Sequence, residues 1–276
     1  MNLKKIELVG NKIKLRLFKK YAEIEQGHPG SVLSVFDIVN YIYTAKQINL
    51  KKKNIYRNKL IISKGHAASV IYPYLIDSNV IPKNEWENWG KKKSEFRIFS
   101  NTSIKGIDAT SGSLGHGCGI AAGMALSNKA NKNRLKIFTI ISEGELYEGS
   151  IWESLLFLSH QKLYNVKLIL DVNNLIILGK TKDCLELSQI DKKFQSFGFK
   201  TKTINGHDYD QIHNGFKFLN ANDKNMKVLI TNTVKGNGIS FMENKPEWHY
   251  WQKMTAVQKS TMIRELDEKI SEGCVY

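Results

Sequence analysis

A chain of 276 residues, 42% hydrophobic and 10% aromatic, can bury a full core as one large α/β domain or two small ones, with the composition of an ordinary globule. No apolar run approaches the ~20 residues needed to cross a bilayer, which excludes a membrane-spanning helix, and the first residues lack the apolar stretch of a secretion signal. The net charge of +15 raises nucleic-acid binding as a possibility. However, lysine is spread along the whole chain, Lys51–Lys53 and Lys91–Lys93 are short runs, and no basic patch is interleaved with aromatics. The charge therefore reads as solvated surface whose field favours phosphorylated or nucleotide-linked substrates. Cys118, Cys184 and Cys274 form no Cys-x-x-Cys pair and no even set, which points to a reducing cytoplasm.

In chain order, Ile13, Leu17, Tyr21 and Ile24 recur at helical spacing and predict an opening amphipathic helix that stops near Gly27. Gly27-His28-Pro29-Gly30-Ser31 is a turn, followed by an apolar helix over 32–45. Residues 60–62 form a short buried strand running into Ser63-Lys64-Gly65-His66, and 67–75 return to helix. Gly112-Ser113-Leu114-Gly115-His116-Gly117 precedes a helix over 120–126, rich in alanine and glycine, whose small residues allow close approach of a backbone or a cofactor. Strands follow at 135–141 and 166–172, joined by a helix from Glu148 to about Leu163. Further strands at 199–204 and 227–233 flank a helix near 209–219, and a polar helix closes the chain over 255–271. No repeat or linker divides the sequence, so residues 1–276 read as one α/β domain, a doubly wound and mainly parallel sheet flanked by helices.

The chemistry concentrates between residues 135 and 179. Two β-rich runs end abruptly, one in Ser142-Glu143-Gly144-Glu145 and the other in Asn173-Asn174. With a helix between them they form a βαβ unit, whose strands are parallel and whose carboxyl ends share one sheet edge. Ligands of open α/β sheets bind at that edge. Glu143 and Asn173 would converge there, and a carboxylate beside an amide oxygen suits a hard cation such as Mg²⁺, which completes its octahedron with phosphate oxygens.

The block SEGELYEG…DVNNLIILG resembles the thiamine-diphosphate signature of transketolases, GDGExxEG…DxNxxxxxG. Four further segments resemble the same family in the same order: GHPGS at 27–31, SKGHA at 63–67, GSLGHG at 112–117, and TVKGNG with ENKPEWHY over 233–250. The resemblance extends from about residue 10 to 270. It implies a thiamine-diphosphate and Mg²⁺ site (or Ca²⁺ or Mn²⁺), with Glu143, Asn173 and the Leu175 carbonyl as metal ligands. His28, His66 and His249 would be catalytic, His28 near the substrate carbonyl and the other two near the diphosphate and reacting hydroxyls. Gly112, Ser113, Leu114, Gly144, Glu145 and Asn173, with His66 and His249, would contact the cofactor. The Leu114 carbonyl would accept from the aminopyrimidine, and Glu148 would lie at a subunit interface. His116, His160, His207 and His213 are assigned structural roles, and Asp171 a supporting one as hydrogen-bond acceptor for a histidine.

The implied activity is transfer of a two-carbon ketol unit from a ketose to an aldose, in a specialised carbohydrate or nucleotide-sugar pathway. A complete transketolase is much longer. The chain resembles the N-terminal subunit of a split enzyme, inactive without a separate pyrimidine-binding chain and expected in a two-plus-two heterotetramer. Glutamate at 143 and serine at 142 replace the usual Asp and Gly. Where the family carries a histidine in a GHP motif, this chain has Ile98, so hydroxyl recognition there comes from another group, such as Arg97, Ser100 or Asn101, or is absent. The alternative is a non-catalytic scaffold or regulatory subunit with weakened metal binding.

Overall fold

The computed structural model describes residues 1–51 and 56–274. Lys52 and Lys53 of the first lysine run, and the Cys274 side chain, lie outside the described residues. Five strands, β1 (Lys59–Ile62), β2 (Ile137–Ser142), β3 (Val166–Val172), β6 (Phe199–Asn205) and β7 (Met226–Asn232), form a sheet in the order β1-β2-β3-β7-β6. Every pairing is parallel. A separate two-stranded antiparallel hairpin, β4 (Leu175–Ile176) with β5 (Gly179–Lys180), projects after β3.

Parallel strands need long crossovers, and these put helices on both faces. Along the way run α1 (Leu3–Ile24), α2 (Pro29–Thr44), α3 (Tyr72–Asp77), α4 (Lys83–Asn88), α5 (Gly117–Ala130), α6 (Gly149–His160), α7 (Thr181–Cys184), α8 (Ile190–Ser196), α9 (Tyr209–Asn220) and α10 (Ala256–Cys274). Side chains of a strand alternate between faces, so the sheet feeds two cores. Leu60, Ile62, Phe138, Ile140, Ile169 and Leu229 face α2 and α9, with α1 and α10 packed outside. Ile61, Ile137, Ile141, Leu168, Leu170 and Val228 face α5, α6 and α8. The fold is the doubly wound parallel sheet expected from the alternation of strands and helices.

Local chemistry shifts several boundaries. Helix α2 starts at Pro29 rather than at residue 32, because proline at the first helical position has φ already set for the helix and lacks only an N–H that would be orphaned anyway. Residues 65–71 form a 3₁₀ turn, with α-helix confined to Tyr72–Asp77. The 135–160 crossover begins with a 3₁₀ turn over Glu143–Tyr147 and has its α-helix over Gly149–His160 only. Helix α5 runs past both expected ends. The β4–β5 hairpin and α4, α7 and α8 are absent from the sequence reading, since each is too short to show a periodicity.

A buried ion pair fixes the start of β1 against the loop that leads to Gly112. Arg57 Nη1 and Nη2 reach the two Asp108 carboxylate oxygens at 2.8 and 2.9 Å, and the Leu60 N–H donates to the same group at 3.0 Å. Asp108→Ala leaves the guanidinium buried and unpaired, so a loss of about 3–5 kcal/mol is expected. Urea unfolding monitored by circular dichroism checks this; a loss below about 1 kcal/mol, the range of a surface pair, would show that the pair is not buried in solution.

Candidate active site

The carboxyl ends of β1, β2, β3 and β7 open onto one cavity of about 410 Å³. From β1 come Lys64 and His66, from β2 Ser142, Glu143 and Gly144, from β3 Asp171, Asn173 and Leu175, and from the segment after β7 Lys235, His249 and Tyr250. His28 and Ser31 enter from the start of α2.

The three histidines form a triangle. Ring centroids of His28 and His66 lie 5.2 Å apart, His28 and His249 5.5 Å, and His66 and His249 5.1 Å. His66 Nε2 is 3.1 Å from Ser31 Oγ, and the Lys235 ammonium donates to His249 Nδ1 at 3.1 Å. That bond leaves the proton of neutral His249 on Nε2. His28 Nδ1 is buried without a hydrogen-bond partner in the structure. Burial followed by the Lys235 charge lowers the His28 pKa to about 4 and the His249 pKa to about 3. His66 is held well below its ordinary value by burial and then by Lys64. All three are therefore neutral imidazoles at pH 7, each with one N–H donor and one acceptor nitrogen.

Asp171 anchors this wall. Its carboxylate accepts from Lys64 Nζ at 2.6 Å, Ser34 Oγ at 2.8 Å and Thr233 Oγ1 at 2.5 Å, with Asn173 Nδ2 at 3.3 Å. The expected supporting role thus falls on a different partner set: Asp171 accepts from a lysine, two hydroxyls and an amide, not from a histidine. A lysine satisfies a buried carboxylate more completely, because its charge also offsets the desolvation.

Glu143 is 4% exposed. It accepts from the Asn174 N–H at 2.9 Å and from Thr181 Oγ1 at 2.8 Å. Neither partner is a cation, and burial raises its pKa. Beside it, Asn173 Nδ2 donates to Ser34 Oγ at 2.9 Å while Asn173 Oδ1 accepts from the Leu175 N–H at 3.1 Å. Among the described residues no group of three or more His, Cys, Asp or Glu is arranged for a metal. The donors here are instead one carboxylate with amide and carbonyl oxygens. A buried carboxylate with unused lone pairs and no cationic neighbour fits a divalent cation that draws further ligands from phosphate. Ser142 has φ −105° and ψ 159°, ordinary extended backbone, so the position does not require glycine. Its side chain and Glu145 form a capping box across the 3₁₀ turn.

Several expected contacts sit elsewhere. The Glu145 carboxylate lies behind the cavity wall. It accepts from Ser63 Oγ, from the Gly115 N–H at 3.0 Å and from the Ser142 N–H at 2.9 Å, and so ties the GSLGHG loop to β1 and β2. Ser113 lines an adjoining hollow of about 750 Å³, while Gly112 borders both and Leu114 lines the cavity. Glu148 is exposed at the cavity rim. Arg97, Ile98, Ser100 and Asn101 also line the hollow and not the cavity. The side chain that reaches the site from that loop is Phe99, whose ring centroid is 5.7 Å from that of His28.

Sequence reasoning missed Ser31, Ser34, Lys64, Lys235 and Tyr250; all five lie inside or beside quoted motifs but have no pattern of their own. His207 is structural with a reach into the site. It contacts Asp37 Oδ2 through Nδ1 at 2.7 Å, and its Nε2 accepts from the Val234 N–H at 2.9 Å, fixing the residue before Lys235. His116, His160 and His213 do not line the cavity.

The family model for the transketolase thiamine diphosphate binding domain matches residues 7–256. The chain belongs to this transketolase family. Among its relatives, an apulose-4-phosphate transketolase subunit from Phocaeicola vulgatus is 29% identical over 274 residues, 99% of this chain and 97% of that protein. The protein of the same name from Actinobacillus succinogenes is 35% identical over 227 residues, 81% and 82% of the two chains. The solved transketolase of Campylobacter jejuni superposes with a TM-score of 0.81 at 21% identity, covering 100% of this chain and 48% of that one. The transketolase-family chain therefore spans about half the length of the solved transketolases it matches.

The neutral histidines make this transketolase-family chain acid-sensitive. Their pKa values fall on folding, so the unfolded chain takes up protons first. Their contribution to stability is complete above about pH 6.5, the unfolded value, and is lost as pH falls toward 4. Urea midpoints should drop between pH 7.5 and 5.0, and the drop should be smaller in His249→Gln. An equal drop in both proteins would assign the acid sensitivity to other groups.

Proposed function

We propose that this chain is the diphosphate- and metal-holding subunit of a two-component transketolase that transfers a two-carbon ketol unit from a ketose to an aldose. The observation that carries the reading is the convergence, in one cavity, of three neutral histidines with the Glu143–Asn173 oxygen pair. Glu143, Asn173 Oδ1 and the Leu175 carbonyl would hold a divalent cation, Mg²⁺ being the best match to an oxygen set completed by phosphate. Lys64 and Lys235 add positive charge beside the diphosphate position. When bound, thiamine diphosphate supplies the nucleophilic carbon and the electron sink for ketol transfer.

The chain's own residues supply proton transfer and orientation. His249, with its proton on Nε2 and Nδ1 engaged by Lys235, donates toward a developing negative oxygen, and His28, which lines the same cavity, would lie beside the substrate carbonyl. Held neutral by burial, the imidazoles each offer one N–H donor and one acceptor nitrogen, which suits hydrogen bonding to carbinol oxygens as charge develops there. Phe99 in place of a polar group at the loop next to His28 makes that flank apolar, which favours a sugar with fewer hydroxyls there.

Two relatives matched over most of their own length are each named as one lettered component of a transketolase. That naming supports a second, separate chain that completes the pyrimidine side of the site, as does the exposed Glu148 at the rim. A two-plus-two assembly, a cytoplasmic location and sugar or sugar-phosphate substrates complete the reading. The contrary observation is Glu143 itself, already engaged by two protein donors, which favours a non-catalytic scaffold without metal.

Calorimetric titration of thiamine diphosphate and Mg²⁺ into this chain, co-expressed with a pyrimidine-domain transketolase subunit, separates the two. Binding that requires Mg²⁺ is expected; a folded complex that binds neither would overturn the enzyme reading. Asn173→Ala should weaken Mg²⁺-dependent cofactor binding at least about tenfold, the scale of one lost ligand or its supporting contact, while Glu143→Asp should retain or improve metal affinity. Unchanged affinity in Asn173→Ala would remove that residue from the metal shell.

A further inference from the structure

At the opposite, amino-terminal edge of the sheet, a second cavity of about 970 Å³ is lined by six cationic side chains, Lys129, Arg134, Lys136, Lys162, Lys167 and Lys224, and by no carboxylate. The lysines come from three separate stretches, those before β2, at the start of β3 and before β7, which sheet topology alone brings side by side.

Lys167 is the centre of the argument. It is only 7% exposed, it occupies the second position of β3, and among the described residues its ammonium has no hydrogen-bond or ion-pair partner. Its neighbours Lys136 and Lys227 each have one: Lys136 Nζ donates to Asn220 Oδ1 at 2.7 Å, and Lys227 Nζ is 2.6 Å from Asp223 Oδ1. Lys167 and Lys227 directly precede the register pair Leu168↔Val228, which sets two lysines abreast on adjacent strands. Like charges so placed repel, and burial with those two neighbours lowers the Lys167 pKa to about 8.

Lysines also suit helix C-termini, and the ends of α5, α6 and α9 all reach this edge. That accounts for Lys129, which donates to Gln161 O, and for Lys227, which donates to Ala221 O. Three helix ends together supply about one and a half negative charges, too little to offset the six cations. None of the three ends gives Lys167 an acceptor.

We propose that this cavity is a binding site for a small polyvalent anion of the phosphate class, seated on Lys167 and flanked by Lys136, Lys162 and Lys224. A small anion fits better than a nucleic acid, because the decisive ammonium lies inside the concavity, out of reach of a polymer backbone tracking the surface. The site is remote from the cavity at the strand carboxyl ends and does not depend on the function proposed for that cavity.

The test uses the full chain in EDTA, so that no metal-dependent diphosphate site contributes, with inorganic pyrophosphate as probe and a sugar monophosphate run beside it. Pyrophosphate should raise the melting temperature of the wild type and bind at least ten times more weakly to Lys167→Met. Without the probe, Lys167→Met should melt higher than the wild type, since methionine removes one of two like charges set abreast on adjacent strands; a lysine serving only a helix end would give a lower melting temperature. The double variant Lys162→Gln/Lys224→Gln, made at exposed positions, should keep the fold and weaken binding severalfold. Tighter binding of pyrophosphate than of the monophosphate assigns a diphosphate-type anion, and the reverse order assigns a sugar phosphate. Equal pyrophosphate binding by the wild type and both variants, no binding by the wild type, or binding of duplex oligonucleotide in preference to pyrophosphate would overturn the proposal.

Discussion

The buried carboxylate of Asp171 is the constraint on which the geometry of the cavity at the strand carboxyl ends depends. It lies in the central strand β3 and gathers donors from three other parts of the chain: Ser34 on α2, Lys64 after β1 and Thr233 after β7. Burying a carboxylate is costly unless charge and hydrogen bonds replace water. The segments that supply them are thereby held at one strand edge, and each carries a site residue a short distance along: Ser31, His66 and Lys235. Glu145 performs the same service one strand over, binding β1, β2 and the GSLGHG loop around a single carboxylate.

These anchors also decide the protonation of the site. With Lys64 neutralising Asp171, and Lys235 turned toward His249, the three imidazoles face cations and apolar walls but no carboxylate partner. Their neutrality follows from burial first and from those lysines second. A site built this way is positive where a diphosphate would lie and proton-neutral where the chemistry would occur. Glu143 is the exception, a buried carboxylate with only neutral donors, which suits the cation proposed beside it.

Much of this was legible in the sequence, for identifiable reasons. The strands at 137–142 and 166–172 are runs of β-branched and aliphatic residues that end in glycine, asparagine and acidic groups, so both their existence and their shared edge could be read directly. The motifs carrying His28, His66, His249 and Asn173 were visible because they sit in turns and at strand ends, where sequence is distinctive. Other parts left no signal. A buried lysine such as Lys64 or Lys235 looks like any of the many surface lysines until its partner is placed. Phe99, not Ile98, reaches His28, because the loop before Gly106 has no regular periodicity to tell which side chain points inward. Ser142 stands where the family carries glycine, yet its backbone is extended and does not require one.

The sequence by itself determined the family, the doubly wound sheet and the chemical inventory at the strand ends, because these depend on local pattern and short motifs. Only the tertiary structure decided which charges meet. It paired Lys64 with Asp171, left Glu143 without a cation, and turned lysines scattered over three distant stretches into one basic cavity at the far edge of the sheet. Composition can count charges, but their energies depend on distance and burial, and those exist only once the strands are side by side.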